Sequence, residues 1–99
     1  MTFFTIRQIK EANKSAGMHW FEPATLRFFG SRIHKRVYYG KFFITSERCR
    51  WEGGDNRRLY SIRQANEDGS IDTVGEFQAY ATKAQAVSAM HHFAKEEQS

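Results

Sequence analysis

The sequence predicts one α+β domain over residues 1–99. Its expected architecture is a three-stranded antiparallel meander with two helices before it and one after, α-α-β-β-β-α. Three observations carry this. Two T-x-x-Q stretches, Thr5–Gln8 and Thr82–Gln85, have the form of helix-opening capping boxes near the two ends of the chain. Between them lie three runs rich in β-branched and aromatic residues, VYYGKFFIT, LYSIRQA and SIDTVGEF. Consecutive strands with short connections pair as an antiparallel meander, and helices must cover at least one of its faces.

The first helix is expected over about residues 6–16. Thr5 accepts from the first turn and Gln8 reaches back. Phe4 and Ile9 occupy staple positions, and Gly17 fits a left-handed stop. Ile6, Ile9 and Ala16 share a face that Asn13 interrupts. Pro23 suits the first position of a short second helix, with Leu26 and Phe29 inward and Gly30 ending it. Asn66-Glu67-Asp68-Gly69 reads as the turn of a hairpin. The last helix spans about 83–96, with Val87, Met90 and Ala94 in an apolar stripe flanked by Ala86 and Phe93.

Alternation assigns the strand faces. Phe42, Ile44, Tyr60, Ile62, Ile71 and Phe77 are expected in the core under the last helix. Tyr39, Lys41, Phe43 and Arg63 are then expected on the other face. Rings beside cations on an open sheet hold single-stranded nucleic acid by stacking and phosphate contact. The competing reading is that the N-terminal helices cover this face, since apolar rings on both sides of a strand usually mean burial on both sides.

Of the 99 residues, 40% are hydrophobic and 26% charged, as in ordinary globular domains, but 15% are aromatic. No apolar run reaches the ~18 residues of a membrane helix, and the opening MTFFTIRQIKEA turns polar too soon for a signal peptide. A single cysteine, Cys49, excludes an internal disulfide framework and fits a reducing compartment, so a cytoplasmic location is expected.

The net charge of +4 is unevenly placed. Residues 27–63 carry ten Lys/Arg against three acids, and residues 64–99 carry two against six. That asymmetry points to an anionic partner for the middle of the chain. Its candidate contacts are Arg32, Lys35, Arg36, Tyr39, Lys41, Phe43, Arg48, Arg57, Arg58 and Arg63. Pairing the first two strands brings Arg48 near Arg58 and puts Arg36 and Arg63 towards the other end. Trp20, Phe21, Phe28 and Phe29 are expected mainly to pack the core. Charge that merely solvates loops and strand faces is the plain alternative.

No catalytic constellation is legible, so no enzyme activity and no cofactor is expected. Cys49 with His19, His34, His91 and His92 matches no zinc spacing. Asp72 and Glu76 stand about 13 Å apart along a strand, too far for a carboxylate pair. Gly53-Gly54 lacks the lysine and following helix of a phosphate loop.

Five pieces taken together, IRQIKEANKSAG, HWFEPATLRFFGSR, FFITSE, YSIRQANEDGSIDTVGEFQAY and the alanine-rich last helix, resemble a group of small, largely uncharacterised proteins of tailed phages, prophages and mobile elements. DGSIDTVGEFQAY is the most distinctive of them. The resemblance implies no reaction, cofactor or catalytic residue. It implies a host-cell setting in which small accessory proteins bind nucleic acid, nucleoprotein or host proteins, including defence machinery. Two function classes follow: a nucleic-acid or nucleoprotein binder, or a protein-interaction module such as a host-enzyme inhibitor or virion component with no nucleic-acid contact.

Overall fold

The computed structural model describes residues 2–48 and 58–98. It is α+β, with helices at both ends of a four-stranded antiparallel sheet. The order is α1 (Ile6–Ser15), α2 (Pro23–Phe29), β1 (Arg32–Ile33), β2 (Phe42–Arg48), β3 (Arg58–Ala65), β4 (Ile71–Val74) and α3 (Lys83–Gln98). The strands lie in sequence order. The expected meander is β2-β3-β4, and the two-residue β1 extends it at one edge.

Local chemistry sets the helix ends. Thr5 Oγ1 accepts from the Gln8 amide, while Gln8 Oε1 accepts from the amides of Thr5 and Phe4. Gly17 follows the helix at φ +77°. Pro23 opens α2, and Gly30 closes it in the left-handed region. At α3, Thr82 Oγ1 accepts from the Gln85 amide, but the Gln85 side chain reaches one residue further back, to the Ala81 amide. Thr5→Ala and Thr82→Ala are each expected to cost ~1 kcal/mol in chemical denaturation.

The sheet is covered on both faces. On one, α3 lays Ala86, Met90 and Ala94 over Tyr38, Phe42, Ile44 and Ile62. On the other, Phe3, Ile9, Phe43 and Ala65 pack together, with Trp20, Phe21 and Ile71 against them. Phe42 and Phe43 are both fully buried, on opposite faces. Asn13, which interrupts the apolar face of α1, is buried because it works as a clamp. Its Nδ2 donates to the Gly69 carbonyl, and its Oδ1 accepts from the Trp20 amide. The hairpin tip fits against α1 because Gly69 carries no side chain: a Cβ there would come within 2.5 Å of the Ala12 carbonyl oxygen.

Four expectations are corrected. Residues 37–41 are not strand: Tyr39 and Gly40 both have positive φ, making a tight turn in which Tyr38 bridges to Phe42. Phe4 is 76% exposed, and its neighbour Phe3 is the residue buried near Ile9. The third expected strand is shifted by one residue. Ile62 pairs with Val74 and Ala65 with Ile71, so Val74 lies beneath α3 and Ile71 faces the other way. A one-residue change of register exchanges every side chain between faces. Phe77 consequently leaves the core: it follows the strand, beyond Gly75 at φ +74°, and is 46% exposed. Of the two readings of the other face, the structure has the covered one: α1 and the segment around Trp20 close it over Phe43.

Candidate functional site

The sheet places the cations by register. Arg48 pairs with Arg58 and Arg32 with Ser46, so these arginines share the α3-side face at one end of β2. The left-handed Gly30 turns the chain back between α2 and β1 and brings Arg27 beside them. Together, Arg27, Arg32, Arg48 and Arg58 surround a shallow pocket of about 330 Å³, floored by Gly30 and Ser31. Arg27 was absent from the sequence-derived set; its position three residues before a left-handed glycine, with Arg32 two residues after it, is the pattern that signals it.

The four differ in what they are free to do. Arg58 is half-buried and committed. Its Nη2 donates to the carbonyls of Gly30 and Ser46 at 2.6 and 2.7 Å, and its Nε donates to Ser46 Oγ. It thus caps the negative end of α2. Burial, then the neighbouring charges of Arg32 and Arg48, lower its pKa from the ordinary arginine value. Arg27, Arg32 and Arg48 are exposed and form no salt bridge among the described residues. A Cβ added at Gly30 would meet the stem of Arg48 at 3.4 Å, so the glycine leaves room for that side chain.

His34 borders this end. Its ring lies 5.7 Å from that of Tyr60, and its Nε2 is buried with no hydrogen-bond partner among the described residues. Burial, then Lys83 and Arg58, lower its pKa below 6.5. A lowered pKa in the fold means the unfolded chain takes up the proton first. The stability His34 contributes is therefore present above about pH 6.5 and is lost as pH falls below it. The denaturation midpoint is expected to drop between pH 7.5 and 5.5, and His34→Gln to remove part of that drop.

The remaining candidates separate. Arg36 sits over the Tyr38 ring at 4.7 Å and Lys41 over the Phe42 ring at 5.0 Å. Tyr39, 48% exposed, is hydrogen-bonded to His91 of α3. Tyr39 and Lys41, expected on the face away from α3, instead lie with His91 and Phe42 on the α3 side, because the turn at Tyr39 and Gly40 breaks the alternation. The Tyr38–Phe42 bridge is roughly 13 Å along β2 from Arg32 at ~3.3 Å per residue. Lys35 is exposed. Phe43 and Arg63 are corrected: Phe43 is fully buried and Arg63 is 7% exposed. The expectations for Arg57 and Cys49, and for the side chains of Phe28 and Phe29, lie outside the described residues.

Arg63 instead belongs to a buried polar network on the opposite face. Its Nη2 donates to Glu47 Oε1 at 2.9 Å, its Nε to Thr45 Oγ1 at 3.0 Å and its Nη1 to Thr73 Oγ1. Glu47 also accepts from the hydroxyls of Thr45 and Ser61. The guanidinium lies 5.4 Å from the Trp20 ring centroid and 5.1 Å from that of Phe77. Beside it opens a cavity of about 280 Å³, bounded by Trp20, Phe77, Thr73 and Leu26. Little in the sequence signals it: Trp20 lies between α1 and α2, and alternation assigns Phe77 to the core although it follows β4.

Among the described residues no group of three or more His, Cys, Asp or Glu side chains is placed to hold a metal ion, and no helix is long and apolar enough to cross a membrane. Comparison with curated proteins and with solved structures finds no match. A family model does match, over residues 5–91, and is described as a family of unknown function, DUF7447. That match covers α1 through most of α3, and the chain belongs to this family.

Proposed function

We propose that this is a non-catalytic binding domain whose partner is nucleic acid, met through its phosphates at Arg27, Arg32 and Arg48. The observation that supports this is the gathering of four guanidinium groups around one open pocket, three of them exposed and without a carboxylate partner among the described residues. Guanidinium groups suit phosphate through their planar fork. Arg36 and Lys41, each against an aromatic ring further along the same side, extend the positive surface. In the setting that the sequence resemblance implies, a phage or mobile element in a host cytoplasm, the protein would act on nucleic acid or a nucleoprotein complex, host-defence complexes included.

The test is charge reversal read by fluorescence anisotropy with a labelled single-stranded oligonucleotide. Arg32→Glu and Arg48→Glu are each expected to weaken binding and to reduce the salt dependence by about one phosphate contact, with the thermal midpoint retained. Arg36→Glu, at the far end, is expected to do less. Arg58→Glu is unsuitable despite its place in the cluster, because it would uncap α2. Wild-type affinity for the oligonucleotide that Arg32→Glu and Arg48→Glu leave unchanged would exclude this site. No binding at ~50 mM salt would favour a protein partner.

A further inference from the structure

We propose that the cavity between Trp20 and Phe77 receives one unstacked nucleobase of a single strand whose phosphates lie on the arginine cluster. The inference rests on the phosphate reading of that cluster. It adds a second site, on the opposite face of the sheet, and with it a choice of single-stranded over duplex partner.

Size and lining come first. At about 280 Å³ the cavity falls just below the ~300–1,000 Å³ of small-molecule sites, which suits one ring system rather than an extended ligand. Its boundary is mostly apolar, with Trp20, Phe77 and Leu26, while Thr25, Ser31 and Thr73 bring hydroxyls. Aromatic faces for stacking with a few polar groups at the edge are what a base requires.

Arg63 makes the cavity more than an apolar gap. The Glu47 carboxylate and the Thr45 and Thr73 hydroxyls fix its guanidinium, yet these bonds use three of its five N–H groups. The other two meet no acceptor among the described residues, and from this immobilised group in the cavity lining they can meet the carbonyl oxygen or ring nitrogen of a base. Phe77, at 46% exposure, is a large ring kept partly in water beside that guanidinium.

Continuity identifies the occupant. Leu26 and Ser31 border this cavity and the arginine pocket alike, so the two adjoin across the α2–β1 connection. A ligand with a planar ring joined to an anionic group spans them, and a nucleotide unit within a strand is such a ligand. In a duplex the base is stacked and paired, so the cavity accepts it only from a single strand.

The experiment compares an end-labelled single-stranded DNA 12-mer, the same backbone with abasic sites in place of the bases, and the duplex, at ~50 mM salt. The intact strand is expected to bind roughly 5- to 150-fold tighter than the abasic one, which is the worth of one stacked base converted to affinity. Phe77→Ala should erase that difference and leave binding of the abasic strand and its salt dependence unchanged. Phe77→Leu, which keeps bulk without a ring, should do the same and guards against a folding effect. Arg48→Glu should weaken both strands alike. Equal, salt-dependent binding of intact and abasic strands would overturn the base pocket and leave the phosphate reading intact. Preference for the duplex would also overturn it. Failure of all three to bind would overturn the phosphate reading and the base pocket with it.

Discussion

Glu47→Ala should destabilise the domain by about 3–5 kcal/mol, because it strands a buried guanidinium. Glu47 and Arg63 are 1% and 9% exposed at the side chain and sit 2.9 Å apart. Among the described residues, removing the carboxylate leaves Arg63 with two hydroxyls and two aromatic rings but no anion, in a site where solvation is poor. Since small domains hold about 5–15 kcal/mol in total, the variant should lie near its unfolding threshold at room temperature. Replacing both partners by apolar residues, Glu47→Leu with Arg63→Met, should recover most of the loss, because desolvating two charges offsets much of their attraction. Urea denaturation of the two variants is the check, and a cost below ~1 kcal/mol for Glu47→Ala would mean that water reaches the pair.

Phe42→Ala should cost about 3–5 kcal/mol. The ring is fully buried beneath α3, among Ile44, Ile62, Ala86 and Met90, and its removal opens a cavity that two packed layers cannot close. Phe43→Ala should be comparable, since Phe43 is equally buried on the other face, against Trp20 and Phe21. Phe77→Ala should cost well under either, because the ring is 46% exposed and outside both clusters. Chemical denaturation of the three variants separates this packing from one in which Phe77 is a core residue.

The contrast between Phe42 and Phe77 shows how far the sequence could be read. Where structure is decided within one turn or one alternation, residues announce it. Thr5 with Gln8, Pro23 with Gly30, and the run of Phe42, Ile44, Tyr60 and Ile62 are of this kind. Phe77 failed because its side depends on the register of β4. The loop from Asn66 to Ser70 sets that register, held by Asp68 accepting from the amide and hydroxyl of Ser70 and by the docking of Gly69 on α1. Those contacts are not visible in an alternating pattern. Val37–Lys41 departs from strand for another reason: β-branched and aromatic composition cannot show that Tyr39 and Gly40 turn through positive φ. The edge strand Arg32–Ile33 is too short and too basic to stand out.

The candidate site was half legible. Pairing Arg48 with Arg58 followed from antiparallel geometry, and the ladder has that pair in register. Arg63 was misread because a charged residue in an alternating strand is ordinarily a solvated one. Nothing in its neighbours signals that Glu47, on the adjacent strand and the same face, has closed over it. The reading that helices cover both faces is the one that fits, and it converts an expected open aromatic surface into a core with a cavity at one end.

The most direct test of the central claim is the affinity of the wild-type domain for a single-stranded oligonucleotide as salt is raised from ~50 to 200 mM. Phosphate contacts at Arg27, Arg32 and Arg48 should make the logarithm of the association constant fall linearly with the logarithm of salt concentration, with a slope of about −2, ~0.7 for each contact. A slope near zero, or no binding at ~50 mM, would contradict it.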